Sequence, residues 1–249
     1  MPNLTNRPEK RRVLIMGASG GLGQALCHSF FQDNSFLGIH AHSNLSQGEA
    51  LLRSFTGLGK DAALLVCDLK ESGSVRKMFD DLLIKWGRID VLINTAGIID
   101  DRLFARNGEV EWDRVVQTNL TGAFYCMREA GRIMHQQEGG HIINLLSLSA
   151  FTGRAGQAAY AASKRGLAAL TMSAAREWGP RAIQVNAVLP GFLDTGMTGS
   201  LTFDQKEKLI QENVLGRAST LEEVSEFIVH LSKMKYVSGQ VFNLDSRIY

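Results

Sequence analysis

Tyr160 and Lys164 stand four residues apart in a stretch, Gln157 to Trp178, whose apolar periodicity predicts a helix. Both side chains therefore leave one face about one turn apart. A tyrosine hydroxyl, with an ordinary pKa of about 10, is a poor acid or base near neutrality unless a nearby positive charge stabilises its phenolate. Lys164 can supply that charge and can also hydrogen-bond a ribose. Ser147 follows an aliphatic run, His141 to Leu146, that reads as a strand. A hydroxyl at a strand's carboxyl end can hold a substrate oxygen beside the phenol, an orienting and electrostatic role. No histidine is placed by sequence to activate Ser147, which argues against a hydrolase triad. Asn119 lies inside a second helical pattern, from Glu111 to Gln137, where Asn is a mediocre helix former. Its side chain, or a locally loosened backbone, can carry a water-linked proton path to Lys164. Singly, each residue has a plain structural reading as a chance spacing or a cap. Their order on successive elements points jointly to catalysis at a carbonyl or alcohol carbon.

The elements that must position these groups alternate. Val13 to Met16, Phe36 to His40, Ala62 to Cys67, Ile89 to Ile93, His141 to Leu146, Ile183 to Val188 and Val241 to Leu244 read as strands, with helical segments between them. Near-continuous apolar strands separated by helices predict an α/β chain: a single Rossmann-type, doubly wound domain with a seven-stranded, mainly parallel sheet. Gly179-Pro180 ends the Tyr160 helix. The segment 191–220, with four glycines around a short polar helix from Phe203 to Glu212, reads as a lid over the substrate end.

The first strand runs into Gly17-Ala18-Ser19-Gly20-Gly21-Leu22-Gly23 and then a helix. Glycines let the backbone turn sharply and approach a pyrophosphate, while free N–H groups at the helix start face its charge. The end of the second strand, His40-Ala41-His42-Ser43-Asn44, has no acid to hold ribose hydroxyls, which favours NADP(H) over NAD(H), with His42 and Ser43 beside the 2′-phosphate. Either histidine also has an ordinary surface reading. Asp68, just after the third strand, is placed to accept from an adenine amino group.

The bulk composition excludes other classes. A balance of 27 Lys+Arg against 25 Asp+Glu, formal charge +2, gives no field for nucleic acid or an acidic membrane. Arg7, Lys10, Arg11 and Arg12 read as a solvated tail (residues 1–11) leading into the first strand. Cys27, Cys67 and Cys126 lack metal-ligand spacing, so no metal is expected and buried free thiols in a reducing compartment are the simpler account. With no apolar leader and no spanning segment, a cytoplasmic protein is expected.

On these residues the chain closely resembles the short-chain dehydrogenase/reductase family along nearly its whole length. The motifs are Gly17-x-x-x-Gly21-x-Gly23, Asp68-Leu69, Asn94-Thr95-Ala96-Gly97, Asn119, Ser147, Tyr160-Ala161-Ala162-Ser163-Lys164, and Pro190-Gly191 followed by Thr195. The resemblance implies an Asn–Ser–Tyr–Lys tetrad at Asn119, Ser147, Tyr160 and Lys164. It also implies cofactor contacts from Leu69, Asn94 to Gly97, Pro190, Gly191, Leu193 and Thr195, and a homotetramer built on the helices that carry Asn119 and Tyr160. Within the family, the stretches around Tyr160 and from Val185 to Met197 look most like 3-oxoacyl-[acyl-carrier-protein] reductases. That implies NADP(H)-dependent reduction of a 3-oxoacyl thioester carried by an acyl carrier protein or coenzyme A. The alternatives are a dehydrogenase of a small alcohol, sugar or ring ketone, and a non-catalytic dinucleotide-binding scaffold. The sequence departs from the family pattern at Met16, Thr95 and Leu146, and Gly20 stands where NADP(H)-using relatives often have Arg. Gln136-Gln137-Glu138 replaces basic residues that would attract an acidic carrier, leaving Arg132 and Arg181 as docking groups. Leu244-Asp245-Ser246-Arg247 replaces the Gly-Gly common near this end.

Overall fold

A computed structural model describes residues 10–57, 62–199 and 201–247. Within them lie β1 (Arg12–Met16), α1 (Gly21–Gln32), β2 (Phe36–Ala41), α2 (Leu45–Thr56), β3 (Ala62–Val66), α3 (Ser72–Trp86) and β4 (Val91–Asn94). The second half contributes α4 (Glu109–Val116), α5 (Gly122–Gln136), β5 (Gly140–Leu145), α6 (Ser149–Thr152), α7 (Ala158–Trp178), β6 (Ile183–Leu189), α8 (Phe203–Gln211), α9 (Leu221–Leu231) and β7 (Val241–Asn243).

The strands form one parallel sheet in the order β3-β2-β1-β4-β5-β6-β7. Each strand observed lies within two residues of its expected span. Central strands are apolar on both faces because both are covered. Leu14, Met16, Leu92 and Ile142 point into a layer with α3, α5 and α7, while Val13, Ile15, Ile93 and Ile143 point into a layer with α1, α2 and α9. The chain reverses direction of travel across the sheet between β1 and β4, and the register aligns Met16 with Asn94 and Asn94 with Asn144. A crevice therefore opens beyond the carboxyl ends of β1, β4 and β5, the place where such sheets bind ligands.

Three expectations change. The expected Glu111 to Gln137 helix is continuous from Glu109 to Gln136 but contains a π-helical turn, Gln117–Thr121, which carries Asn119. The expected solvated tail is anchored at its end. Arg11 donates to Asp33 at 2.6 Å and to the hydroxyl and carbonyl of Ser232, and Arg12 already belongs to β1, whereas Arg7 lies outside the described residues. His40 is buried, not superficial. The three cysteines are buried free thiols. Among the described residues no helix is long and apolar enough to cross a membrane.

Candidate active site

The glycine turn is shaped by contacts that admit no side chain. Gly17 has φ +77°, and a Cβ there would lie 2.6 Å from Ala96 Cα and 2.7 Å from Ala96 N. The loop after β1 thus presses its backbone against Ala96 in the loop after β4. Thr95 reinforces the approach, its hydroxyl donating to Met16 O at 2.8 Å. Gly23 packs as closely on the turn itself, and Gly21 faces the methyl of Thr195 across the crevice. The N-cap of α1 is Gly20, without a side-chain cap, and the first turn carries no acid. Its N–H groups and the positive end of the helix dipole are therefore left for an external anion. Such a cradle fits a pyrophosphate.

His40 is the residue here that sequence reasoning missed. Gly17 N–H donates to His40 Nδ1 at 3.1 Å, so the ring proton sits on Nε2, which donates to Cys67 O at 3.0 Å. Burial pushes the imidazole down to about 4, keeping it neutral and able to accept from Gly17. The only sequence signal was a polar residue in an apolar strand. His42 and Ser43 follow on the exposed rim beyond β2. Asp68 stands nearby. Burial raises its pKa, but the Lys70 backbone bond at 3.0 Å, the Lys70 ammonium and His42 outweigh this and hold it below the ordinary carboxylate value. Leu69 is buried beneath.

At the other end of the crevice, the predicted tetrad residues converge. Ser147, just past β5, lies 3.1 Å from Ser149 Oγ and close enough to Tyr160 to favour its phenolate. Tyr160 is only 8% exposed, set among Val115, Ala159, Ile98 and Ile99. Burial pushes its hydroxyl up to about 12, with the Ser147 hydroxyl opposing and Asp101 adding to the rise. The Lys164 ammonium lies 5.8 Å from the ring centroid and donates to Leu145 O at 2.7 Å. Burial pulls Lys164 down to about 8. Asn119 is fully buried; its side chain accepts from Ile98 N–H at 2.8 Å and donates to Ile98 O at 2.9 Å and to Ser163 Oγ at 3.3 Å. Gly97 joins the two groups, since a Cβ on it would be 3.3 Å from Asn119 Oδ1 and 3.6 Å from Lys164 Nζ.

Asn94 is buried and donates to Asn144 at 2.8 Å, which in turn donates to Thr171 on α7 at 2.9 Å. This polar line, unseen in the sequence, ties the ends of β4 and β5 to the Tyr160 helix. After β6, Pro190 leads into Gly191, whose φ of +82° and contact with Ser219 leave no room for a side chain. Leu193 is buried in the α1/α9 layer. Beyond Thr195, α8 faces α6 across a cavity of about 610 Å³ that includes Ser147, Gln157, Lys208 and Arg247.

The two arginines expected to dock a carrier already face carboxylates of this chain. Arg132 bonds Asp80 at 2.6 Å and Glu129 at 3.2 Å, and Arg181 lies 3.6 Å from Glu138. Gln137 is not a free surface group either. Its amide donates to Ile89 O and Gly139 O, stitching the end of α5 to the approach of β4.

The architecture is a doubly wound α/β protein whose phosphate cradle and hydroxyl-rich site share one crevice at the sheet's switch point. A family model described as short chain dehydrogenase matches residues 11–206. The chain belongs to this family of oxidoreductases. It is 34% identical over 241 residues to the 3-oxoacyl-[acyl-carrier-protein] reductase FabG of Staphylococcus aureus (strain MW2), covering 96% of this chain and 98% of that one. The FabG of Chlamydia pneumoniae is 35% identical over 237 residues, covering 94% and 95%. A solved gluconate 5-dehydrogenase from Burkholderia cenocepacia J2315, in complex with NADP and tartrate, superposes with a TM-score of 0.90 at 28% identity, covering 95% of this chain and 94% of that one.

Proposed function

We propose that this protein is an NADP(H)-dependent reductase of 3-oxoacyl thioesters, in which Tyr160 delivers the proton. The observation that carries the chemistry is the meeting of Ser147, Tyr160 and Lys164 at the carboxyl edge of β5, beside a side-chain-free anion cradle. Gly17, Ser19, Gly20, Gly21, Leu22 and Gly23 would hold the pyrophosphate, Asp68 and Leu69 the adenine end, and His42 and Ser43 the 2′-phosphate. Asn94 to Gly97, Pro190, Gly191, Leu193 and Thr195 would wall the nicotinamide end. When bound, the dinucleotide supplies the hydride.

The chain's own residues do the rest. Ser147 donates to the keto oxygen and fixes it beside Tyr160. Tyr160, held protonated by burial, gives its proton as charge develops on that oxygen. Lys164, largely charged below about pH 8, stabilises the phenolate left behind. Asn119 holds Ile98, and with it Gly97, against the lysine. The thioester substrate is supported by likeness to the FabG proteins over almost the whole chain. A second reading, dehydrogenation of a small sugar acid or alcohol, is supported by the fold match to the gluconate 5-dehydrogenase and by the polar cavity beside Ser147. The segment 191–220 serves as the substrate lid of one domain, and the α4–α5 and α7 helices as a homotetramer interface.

The test is Tyr160→Phe, assayed with acetoacetyl thioesters and a panel of sugar acids and simple ketones, each with NADH and NADPH. Cofactor binding should persist while turnover falls by about three orders of magnitude. Undiminished activity in that variant would remove Tyr160 from the chemistry. Wild-type turnover confined to sugar acids would replace the thioester reading by the second.

A further inference from the structure

The cavity beside Ser147 is lined with more cation than a plain ketone or an apolar acyl chain can use. Arg154 follows α6, Lys208 lies on α8 and Arg247 reaches in from the tail beyond β7, against one lining carboxylate among the described residues, Glu212. Arg154 and Lys208 are exposed and meet no carboxylate among the described residues.

Arg247 is different in kind because it is built in. Asp245 is 1% exposed at its side chain and accepts Nε of Arg247 at 2.8 Å, Nη2 at 2.5 Å and the Arg247 backbone N–H at 3.0 Å. A guanidinium has five N–H donors, so Asp245 uses two and leaves the Nη1 pair and one Nη2 hydrogen, for which the described residues provide no acceptor. The tail is fastened at Ser246, between the pair, and at Arg247 itself. Ser246 O accepts from Val214 N–H at 3.1 Å, Ser246 Oγ bonds Asn213 at 2.8 Å, and Asn213 and Arg247 form an antiparallel bridge. The ordering cost of the arginine is met before any ligand arrives, which is what makes a fixed fork effective toward a planar or tetrahedral oxyanion.

We infer that Arg247, with Lys208 and Arg154, selects substrates that carry an oxyanion, a carboxylate or a phosphate, at a distance from the reacting carbonyl. The inference rests on the proposed function insofar as Ser147, which lines the cavity, marks its carbonyl end. Asp245 is a positioning residue in this scheme and Arg247 a specificity-determining one.

The experiment compares the anion-bearing probes acetoacetyl-coenzyme A and 5-keto-D-gluconate with their uncharged counterparts acetoacetyl-pantetheine and 5-keto-D-fructose, using NADPH. Calorimetric titration of the NADPH-loaded protein with coenzyme A, pantetheine, D-gluconate and D-glucitol gives a readout independent of turnover. At least one anion-bearing probe should be preferred over its counterpart by about tenfold or more, through KM. That preference should collapse in Arg247→Lys, which keeps the charge but loses the fork. Lys208→Met, an exposed change, should weaken the same preference even if the tail variants fail to fold. Preference for the coenzyme A thioester identifies phosphate as the recognised group, and preference for the keto acid identifies carboxylate. Equal handling of charged and uncharged probes by the wild type, in kinetics and in titration, overturns the inference while leaving thioester reduction standing. Turnover of the keto acid alone, with the preference intact, keeps the inference and removes the thioester reading.

Discussion

Lys164→Met should make the protein more stable at neutral pH while destroying its activity. Lys164 is 3% exposed, its ammonium has one hydrogen bond among the described residues, to Leu145 O, and burial lowers its pKa from 10.5 to about 8. At about 1.4 kcal/mol per pH unit, the charged form costs the folded state about 3 kcal/mol at pH 7. Replacement by an apolar side chain of similar length removes that cost and forfeits about 1 to 2 kcal/mol for the bond to Leu145 O. The net gain is about 1 to 2 kcal/mol, or roughly 2 to 8 °C in Tm for a chain of this size. The sign with pH is definite. Between about pH 8 and 10.5 the unfolded lysine holds its proton and the folded one does not, so wild-type stability rises with pH through that window. The advantage of the variant should therefore shrink by about 2 kcal/mol from pH 7 to pH 10. Urea unfolding of both proteins at the two pH values measures this. A variant less stable at pH 7, or a difference that ignores pH, would refute the view that Lys164 is a charge buried for catalysis at the expense of the fold.

Gly17→Ala should weaken NADPH binding at least about tenfold, since the residue would sit at φ +77° with its Cβ against the Ala96 backbone. Gly87→Ala, at φ +72° in open space, pays only the conformational cost, and fluorescence titration should find its cofactor affinity intact. His40 and His141, both buried and both lowered to about 4, remain neutral in the fold while the unfolded chain protonates below pH 6.5. Stability should fall by about 3 kcal/mol per histidine as pH drops from 6.5 to 4, and a flat urea midpoint over that range would contradict the neutral assignments. Asn119→Leu strips Ile98 of bonds at 2.8 and 2.9 Å and should cost about 2 to 4 kcal/mol of stability, measured by urea unfolding.

What was legible in the sequence was local. Tyr160 and Lys164 are related by one helical turn, the glycine loop by seven consecutive residues, and each strand by its own run of aliphatic side chains. What was hidden joins distant segments through side chains whose types carry no period: His40 under Gly17, Asn94 through Asn144 to Thr171, and Arg132 on Asp80. The tail departs visibly from the family pattern, but a run of Leu-Asp-Ser-Arg says nothing about Asn213 until the chain has folded. The loosened backbone suggested for Asn119 has a counterpart in the π-helical turn, although its amide is committed to Ile98.

This division follows where the two halves of the crevice get their shape. The cradle between Gly17, Gly21, Ala96 and Thr195 is a matter of backbones in contact, so glycine is demanded at particular places and the residues announce the ligand class. The far side is made of side chains contributed by α6, α8 and the tail, the tail being held to Asn213, just after α8, by Ser246 and internally by Asp245. Any of those contacts can be exchanged without disturbing the sheet, because none of them carries a strand or a core helix. A scaffold built this way keeps one proton-transfer apparatus and changes its substrate through a few residues at the lid and tail. On the proposed reading, substrate class is a question about Arg154, Lys208 and Arg247, and Ser147, Tyr160 and Lys164 do not answer it.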